Sequence, residues 1–213
     1  MPKGKRRKTN MQIIQDTNYP FRLYQSLVEK YCGRDPRELC FQNRVLIPLF
    51  ETIFANNEEI DLVDTSMQNP SRETETHTRK NYAGIFTPDF IVVRNWNYAN
   101  QDLPAENYLG VVEVKSPTLN PVSKHSAHTE FEVNNYLSQG NRVILTDCYE
   151  WLFLSLEDRT AERIVLHDEN GWITRPVETD AFVGESLGLC EQHEECENWD
   201  CLLRKIPAFL GIE

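Results

Sequence analysis

Two short segments, IFTPDFIVV (85–93) and LGVVEVK (109–115), constrain this chain more than anything else in it. Both are apolar and rich in β-branched residues, the composition of buried strands. Each carries polar groups that interrupt its apolar run: Asp89 in the first, Glu113 and Lys115 in the second. Side chains alternate along a strand, so Val111, Glu113 and Lys115 share one face while Val112 and Val114 point to the other. A carboxylate and an amine therefore stand side by side at a strand end. The aspartate of the neighbouring strand can converge on the same point, and all three are expected in a cleft at the sheet edge.

Helices surround these strands. Residues 20–31 (PFRLYQSLVEKY) have helical spacing through Phe21, Leu23, Tyr24, Leu27, Val28 and Tyr31, and Gly33 with Asp35-Pro36 ends that helix and starts another. The second is expected over Arg37–Asn56 with Leu39, Val45, Leu46, Leu49, Phe50, Ile53 and Phe54 as its stripe, bent or interrupted at Pro48. Ile60–Val63 reads as a short strand, followed by a polar loop from Thr65 to about Lys80. NWNYANQDLPAENY (95–108) reads as a long hairpin loop between the two main strands. A helix over Ala127–Gln139 ends at Gly140-Asn141, and Val143–Thr146, Trp151–Leu156 and Arg163–Leu166 follow as strands. Asp168–Gly171 is a turn leading into Trp172-Ile173-Thr174. The last thirty residues read as helical, with Trp199, Leu202, Leu203 and Ile206 as apolar positions before Pro207.

This order of elements points to an α/β sandwich around a mixed sheet flanked by helices. The length, 213 residues, fits one domain. Residues 1–10 are expected to be a disordered basic arm, and 11–213 a single domain with its core at about 37–156 and a C-terminal extension at 157–213. The net charge is −11, with 22 lysines and arginines against 33 aspartates and glutamates. Five of those cations, Lys3, Lys5, Arg6, Arg7 and Lys8, sit in the arm, which reads either as a solvated tail or as a nuclear-localisation signal. An acidic body does not coat nucleic acid, but a local basic patch can still hold a phosphate backbone. No apolar run approaches membrane-spanning length and no h-region follows the charged amino terminus. The expected location is intracellular: cytoplasmic, or nuclear if the arm is a signal, with no membrane partner. In a reducing compartment Cys32, Cys40, Cys148, Cys190, Cys196 and Cys201 default to free thiols.

Two carboxylates, a backbone carbonyl and waters are the oxygen donors Mg2+ prefers. A lysine beside them can orient or help deprotonate a metal-bound water and can stabilise charge on a phosphate. Singly, each residue has a plainer reading: Pro88-Asp89 as the opening of a turn, Glu113 and Lys115 as a solvent-facing pair. Together, PDF followed by EVK resembles the PD-(D/E)xK nuclease superfamily. The later NNYLSQGNRVILTDCYEWLFL and the earlier ELCFQNRVLIPLFETIF resemble the nuclease domains of type I restriction motor subunits, so the likeness spans about Glu38 to Leu156.

That resemblance implies a restriction endonuclease-like α-β-β-β-α-β core with C-terminal strands and a helix added. It also implies a Mg2+-dependent endonuclease in which Mn2+ can substitute, acting on nucleic acid, DNA ahead of RNA, and compatible with a homodimer. Asp89, Glu113, the Val114 carbonyl and Glu38 would hold the metal, and Asp89, Glu113, Lys115 and Glu38 would carry catalysis. Glu38 is taken as the first-helix acid from its spacing to Pro48-Leu49, with Gln42 one turn later; Glu51 is the alternative. Relatives often place glutamine four residues before the tyrosine of the later helix, where this chain has Glu132 before Tyr136. The alternatives are a catalytically silent nuclease-fold module that binds nucleic acid or assembles with proteins, and an acidic protein-interaction domain.

Weaker signals remain. Cys190, His193, Cys196 and Cys201 could ligate zinc, but the spacing matches no common zinc module, and a buried helical stripe is favoured. His125 and His128 are given no role. Trp96 and Tyr98 could stack on bases; capping the core is preferred. Deleting residues 1–10 should weaken nucleic-acid binding and flatten its salt dependence by up to about four units of slope. Titrations at several salt concentrations check this, and unchanged affinity and slope would make the arm only a tail or a localisation signal.

Overall fold

The computed structural model describes residues 19–65, 87–97, 103–117, 126–166, 183–193 and 199–212. Helix α1 (Phe21–Arg34) buries Tyr24 and Val28, four residues apart on one face, and closes with Arg34 in its last turn, where a cation suits the carbonyl end. The next helix runs in three pieces: α2 (Glu38–Phe41), a π-helical stretch (Gln42–Leu46) and α3 (Ile47–Phe54). Pro48 was expected to bend or break it. Instead the chain widens one turn early: the Ile47 N–H reaches back to the Gln42 carbonyl, and Pro48 enters α3 in its first turn. A proline ring clashes with the carbonyl four residues before it, and a widened turn relieves that clash while keeping the helix continuous.

The strands are β1 (Ile60–Asp64), β2 (Phe90–Arg94), β3 (Tyr108–Val114), β4 (Val143–Thr146), β5 (Glu150–Ser155), β6 (Thr160–Val165) and the two-residue β7 (Gln192–His193). They form one sheet in sequence order. Pairing is antiparallel except for β3 with β4 and β6 with β7, so the sheet is mixed. The parallel β3–β4 step needs a crossover, and helix α4 (Ala127–Ser138) lies in it. The elements of the core thus run helix, three strands, helix, strand. Helix α5 (Trp199–Phe209) closes the chain.

Alternation along the strands sorts the core onto two faces. Phe90, Val92, Val112, Val114, Ile144, Trp151 and Phe153 pack with residues of α1, α2, α3 and α5. Ile91, Val111, Val143, Leu145, Leu152 and Leu154 pack with Val133, Tyr136 and Leu137 of α4. This is an α/β architecture with helices on both faces of a mixed sheet.

Several elements differ from the sequence expectation. β2 begins at Phe90, leaving Asp89 in a bend just ahead of it, and Lys115 lies one residue past β3. The C-terminal region is not one helix: a 3-10 turn (Glu185–Leu187) and β7 precede α5, and Pro207 sits inside α5 instead of beyond an apolar stripe. Cys32, Cys40, Cys148 and Cys190 are free, but Cys201 is disulfide-bonded, which corrects the all-thiol expectation. The basic arm, most of the 65–80 loop, Ile85, Tyr98, His125, the 168–171 turn, the 172–174 strand and Cys196 lie outside the described residues. Among the described residues no helix is long and apolar enough to cross a membrane.

Gly110, in β3 beside the irregularity at Val92/Val93, lets the strand pass close under the chain's end. A Cβ there would lie 2.7 Å from Leu210 Cδ2 and 2.9 Å from the Arg142 carbonyl oxygen. That carbonyl accepts the Val111 N–H, so it cannot move without loosening the β3–β4 pairing. Gly110→Ala should therefore destabilise the protein by about 1–3 kcal/mol, measured by urea unfolding.

Candidate active site

The antiparallel β2–β3 register runs from Val93 to Phe90, which faces Val112. One rung further Val114 would face Pro88, but proline has no N–H to continue the ladder. The Pro88 carbonyl is also engaged, accepting the buried Thr65 hydroxyl. The Val114 N–H turns instead to the side chain of Asp89, 2.7 Å from Oδ2. The N–H and C=O of one strand residue leave the same edge, so the Val114 carbonyl faces the gap in which Asp89 sits. The Thr65 N–H binds the Asp89 carbonyl at 3.0 Å and steadies the bend.

Glu113 points from β3 toward α4. Its Oε1 lies 2.7 Å from Lys115 Nζ, and its Oε2 accepts the Tyr136 hydroxyl at 3.2 Å. Lys115 stays in register with β4 through its N–H to the Thr146 carbonyl at 2.8 Å. Its ammonium also meets Glu132 Oε2 at 3.3 Å. Glu132 and Tyr136 stand one helical turn apart on α4, whose start is capped by the Ser126 hydroxyl accepting the Thr129 N–H at 3.1 Å. His128 Nε2 lies 3.3 Å from Glu132 Oε1. The site is not at a sheet edge: β3 is interior, and Glu113 and Lys115 are only 4% and 9% exposed.

Glu38 approaches from the other side of the sheet end. Its Oε1 accepts the Ser116 N–H at a long 3.4 Å, while the Ser116 hydroxyl donates to the Pro36 carbonyl and holds the start of α2 against the end of β3. Glu51 is exposed in a groove with Phe54, Ile60 and Leu62, beside β1. The structure thus brings together Asp89, Glu113, Val114 and Lys115, with Glu38 at the margin and Glu51 elsewhere. Gln42 is buried.

Electrostatics follow from one ammonium facing four carboxylates. Burial pushes the Asp89 carboxyl well above the usual range, and the Glu113 charge pushes it further, against the Val114 N–H and Lys115. Burial also lifts Glu113 from 4.5 to about 6, although Lys115 and the Tyr136 hydroxyl oppose the shift. For Lys115, burial favours the neutral amine, but Glu113, Glu132 and Glu38 outweigh it and hold the ammonium charged. Burial and the charges of Glu113 and Glu132 raise the Tyr136 phenol, which therefore stays a donor.

Among the described residues no three His, Cys, Asp or Glu side chains form a ready-made metal cluster. The donor chemistry nevertheless suits a hard cation: a buried glutamate and a half-buried aspartate that repel each other, with a backbone carbonyl turned to the same gap. Glu132, His128 and Tyr136 were not among the expected site residues. The four-residue step from Glu132 to Tyr136 carries the signal, because α4 packs over the face to which Glu113 points. Of the zinc candidates, Cys190 is a free, exposed thiol before β7, whereas Cys201 is in a disulfide and so is not a thiolate ligand. Trp96 is half-buried. The chain matches no family model, no curated protein and no solved structure.

The raised Glu113 carboxyl gives a pH signature. The folded chain keeps this proton to about pH 6 while the unfolded chain loses it near 4.5, so stability falls as pH rises through that window. The cost is on the order of 2 kcal/mol, and Asp89 contributes in the same direction. In the absence of divalent cations, melting temperatures should drop across this window, and Glu113→Gln should flatten the drop. A Glu113→Gln profile as steep as the parent's would assign the effect to other groups.

Proposed function

We propose that this protein is a divalent-metal-dependent nuclease of the PD-(D/E)xK kind that hydrolyses phosphodiester bonds, DNA ahead of RNA. Its helix, three-strand, helix, strand core is then the restriction endonuclease-like one. The observation that carries this reading is the Asp89 side chain bonded to the Val114 backbone beside Glu113, with Lys115 two residues on. A fold kept only as a scaffold has no need of a half-buried aspartate beside a buried glutamate and lysine at one strand end.

In this reading Asp89, Glu113 and the Val114 carbonyl hold Mg2+, with Glu38 supplementing from α2, and Mn2+ can replace it. The ion supplies Lewis acidity and lowers the pKa of a bound water. Lys115, kept charged by its neighbours, donates hydrogen bonds toward the attacking water or a phosphate oxygen and offsets charge that grows in the transition state. Tyr136 donates to Glu113 Oε2 and steadies its rotamer, with Oε1 held beside Lys115. A second reading, a silent nuclease-fold module, is favoured by the close Lys115–Glu113 pair, which engages a carboxylate oxygen the ion needs.

Calorimetric Mn2+ titration paired with cleavage of single- and double-stranded DNA and of RNA tests the assignment. Asp89→Ala and Glu113→Ala should lose both metal binding and cleavage. Lys115→Ala should still bind metal while cleavage falls by about 10²–10⁴-fold, and Glu38→Ala should be intermediate. A parent that binds no divalent metal, or a Lys115→Ala variant that cleaves like the parent, would overturn it. Parent-like metal binding with no cleavage of any substrate would leave the silent module.

A further inference from the structure

Lys115 has two acidic partners, and they are not equivalent. Its ammonium is 2.7 Å from Glu113 Oε1 and 3.3 Å from Glu132 Oε2. The other oxygen of Glu113, Oε2, accepts the Tyr136 hydroxyl, so each oxygen already has a donor. Each carboxylate oxygen can accept more than one partner, but a divalent cation on Oε1 would repel the ammonium held 2.7 Å from that same oxygen and loosen the contact. Displacing Lys115 would strand a buried ammonium unless another anion receives it. Glu132 is already within reach on the same ammonium, which has three protons to distribute. The other oxygen of Glu132 lies 3.3 Å from the exposed His128 Nε2, and the residue is carried on a capped helix.

We propose that Glu132 is a positioning residue that takes over Lys115 when Glu113 turns to a divalent cation. The inference rests on the metal-dependent reading above. It gives the extra carboxylate a task other than metal ligation: Glu132 does not touch the ion but sets how readily Glu113 can be released to it. A carboxylate suits the task better than a neutral amide, because the charge Lys115 gives up on leaving Glu113 is replaced in kind. The same hand-over leaves Lys115 anchored beside the gap, where its other protons can reach a phosphate oxygen.

The test is a double-mutant cycle on the full chain, read as Mn2+ affinity by calorimetry without substrate. Glu132→Gln should weaken Mn2+ binding by about tenfold when Lys115 is present, and by less than about twofold in a Lys115→Met background. Glu132→Asp, which keeps the charge but loses reach, should weaken binding like Glu132→Gln. Equal losses in both Lys115 backgrounds would make Glu132 a direct ligand or a source of field and would overturn the proposal. So would a Glu132→Asp variant that binds like the parent, or a Glu132→Gln variant with unchanged affinity. Binding by the parent with an additive cycle overturns only this inference, whereas a parent that binds no Mn2+ overturns the nuclease reading with it. Should Glu132→Gln fail to fold, the Glu132→Asp variant in the two Lys115 backgrounds decides the same question.

Discussion

Where the β2–β3 ladder runs out, a backbone N–H must still find an acceptor, and that requirement organises the site. Pro88 has no N–H to give the Val114 carbonyl, its own carbonyl accepts the Thr65 hydroxyl, and the Val114 N–H donates to the Asp89 carboxylate. An unmet buried N–H would cost roughly as much as a lost hydrogen bond. The aspartate is thereby drawn from solvent into the sheet end, next to Glu113. The polar cluster is thus a consequence of how two strands separate, and it is as well placed as the β-sheet itself. Thr65 at the end of β1 and Ser116 after β3 secure the neighbouring backbone, so three consecutive strands meet at one point.

The electrostatic cost of that arrangement falls on α4. The face of α4 over β3 is not wholly apolar: Glu132 and Tyr136 look down on Glu113 and Lys115 while Val133 and Leu137 pack the core. Lys115 offsets part of the negative charge, and the phenol of Tyr136 offsets some of the rest by donation. Burial, with the negative charge that remains, holds the Asp89 and Glu113 carboxyls above their usual range. Carboxylates held this way respond strongly to any added positive charge, which is the physical property a cation-dependent enzyme needs.

Much of this was legible from residue order. Val111, Glu113 and Lys115 alternate with Val112 and Val114 as a strand demands, and the two faces receive the cores expected of them. The crossover helix could be read from its spacing and its Gly140-Asn141 ending. Less legible was which neighbours meet across the sheet. Whether Glu132 reaches Lys115 depends on where the β3–α4–β4 crossover sets the helix, a tertiary quantity with no local signature. The end of the chain misled for a different reason: Trp199, Leu202, Leu203 and Ile206 have true helical spacing, but nothing apolar repeats at that spacing through Cys190–Glu197. Nor can spacing decide whether Cys201 stays a thiol.

The π-helical stretch at Gln42–Leu46 sets the phase between two halves of one helix. A widened turn accommodates about one residue more than an α-helix would, which shifts the angular position of everything on its far side by about 100°. Glu38 and the stripe Leu49, Phe50, Ile53 therefore do not obey a common helical wheel, although they belong to one continuous rod. α3 can bury its apolar stripe against the sheet while α2, a few residues away, turns its acidic side chain to the end of β3. Within this helix the site and the core are aligned independently, and the adjustable joint between them is a single turn of backbone.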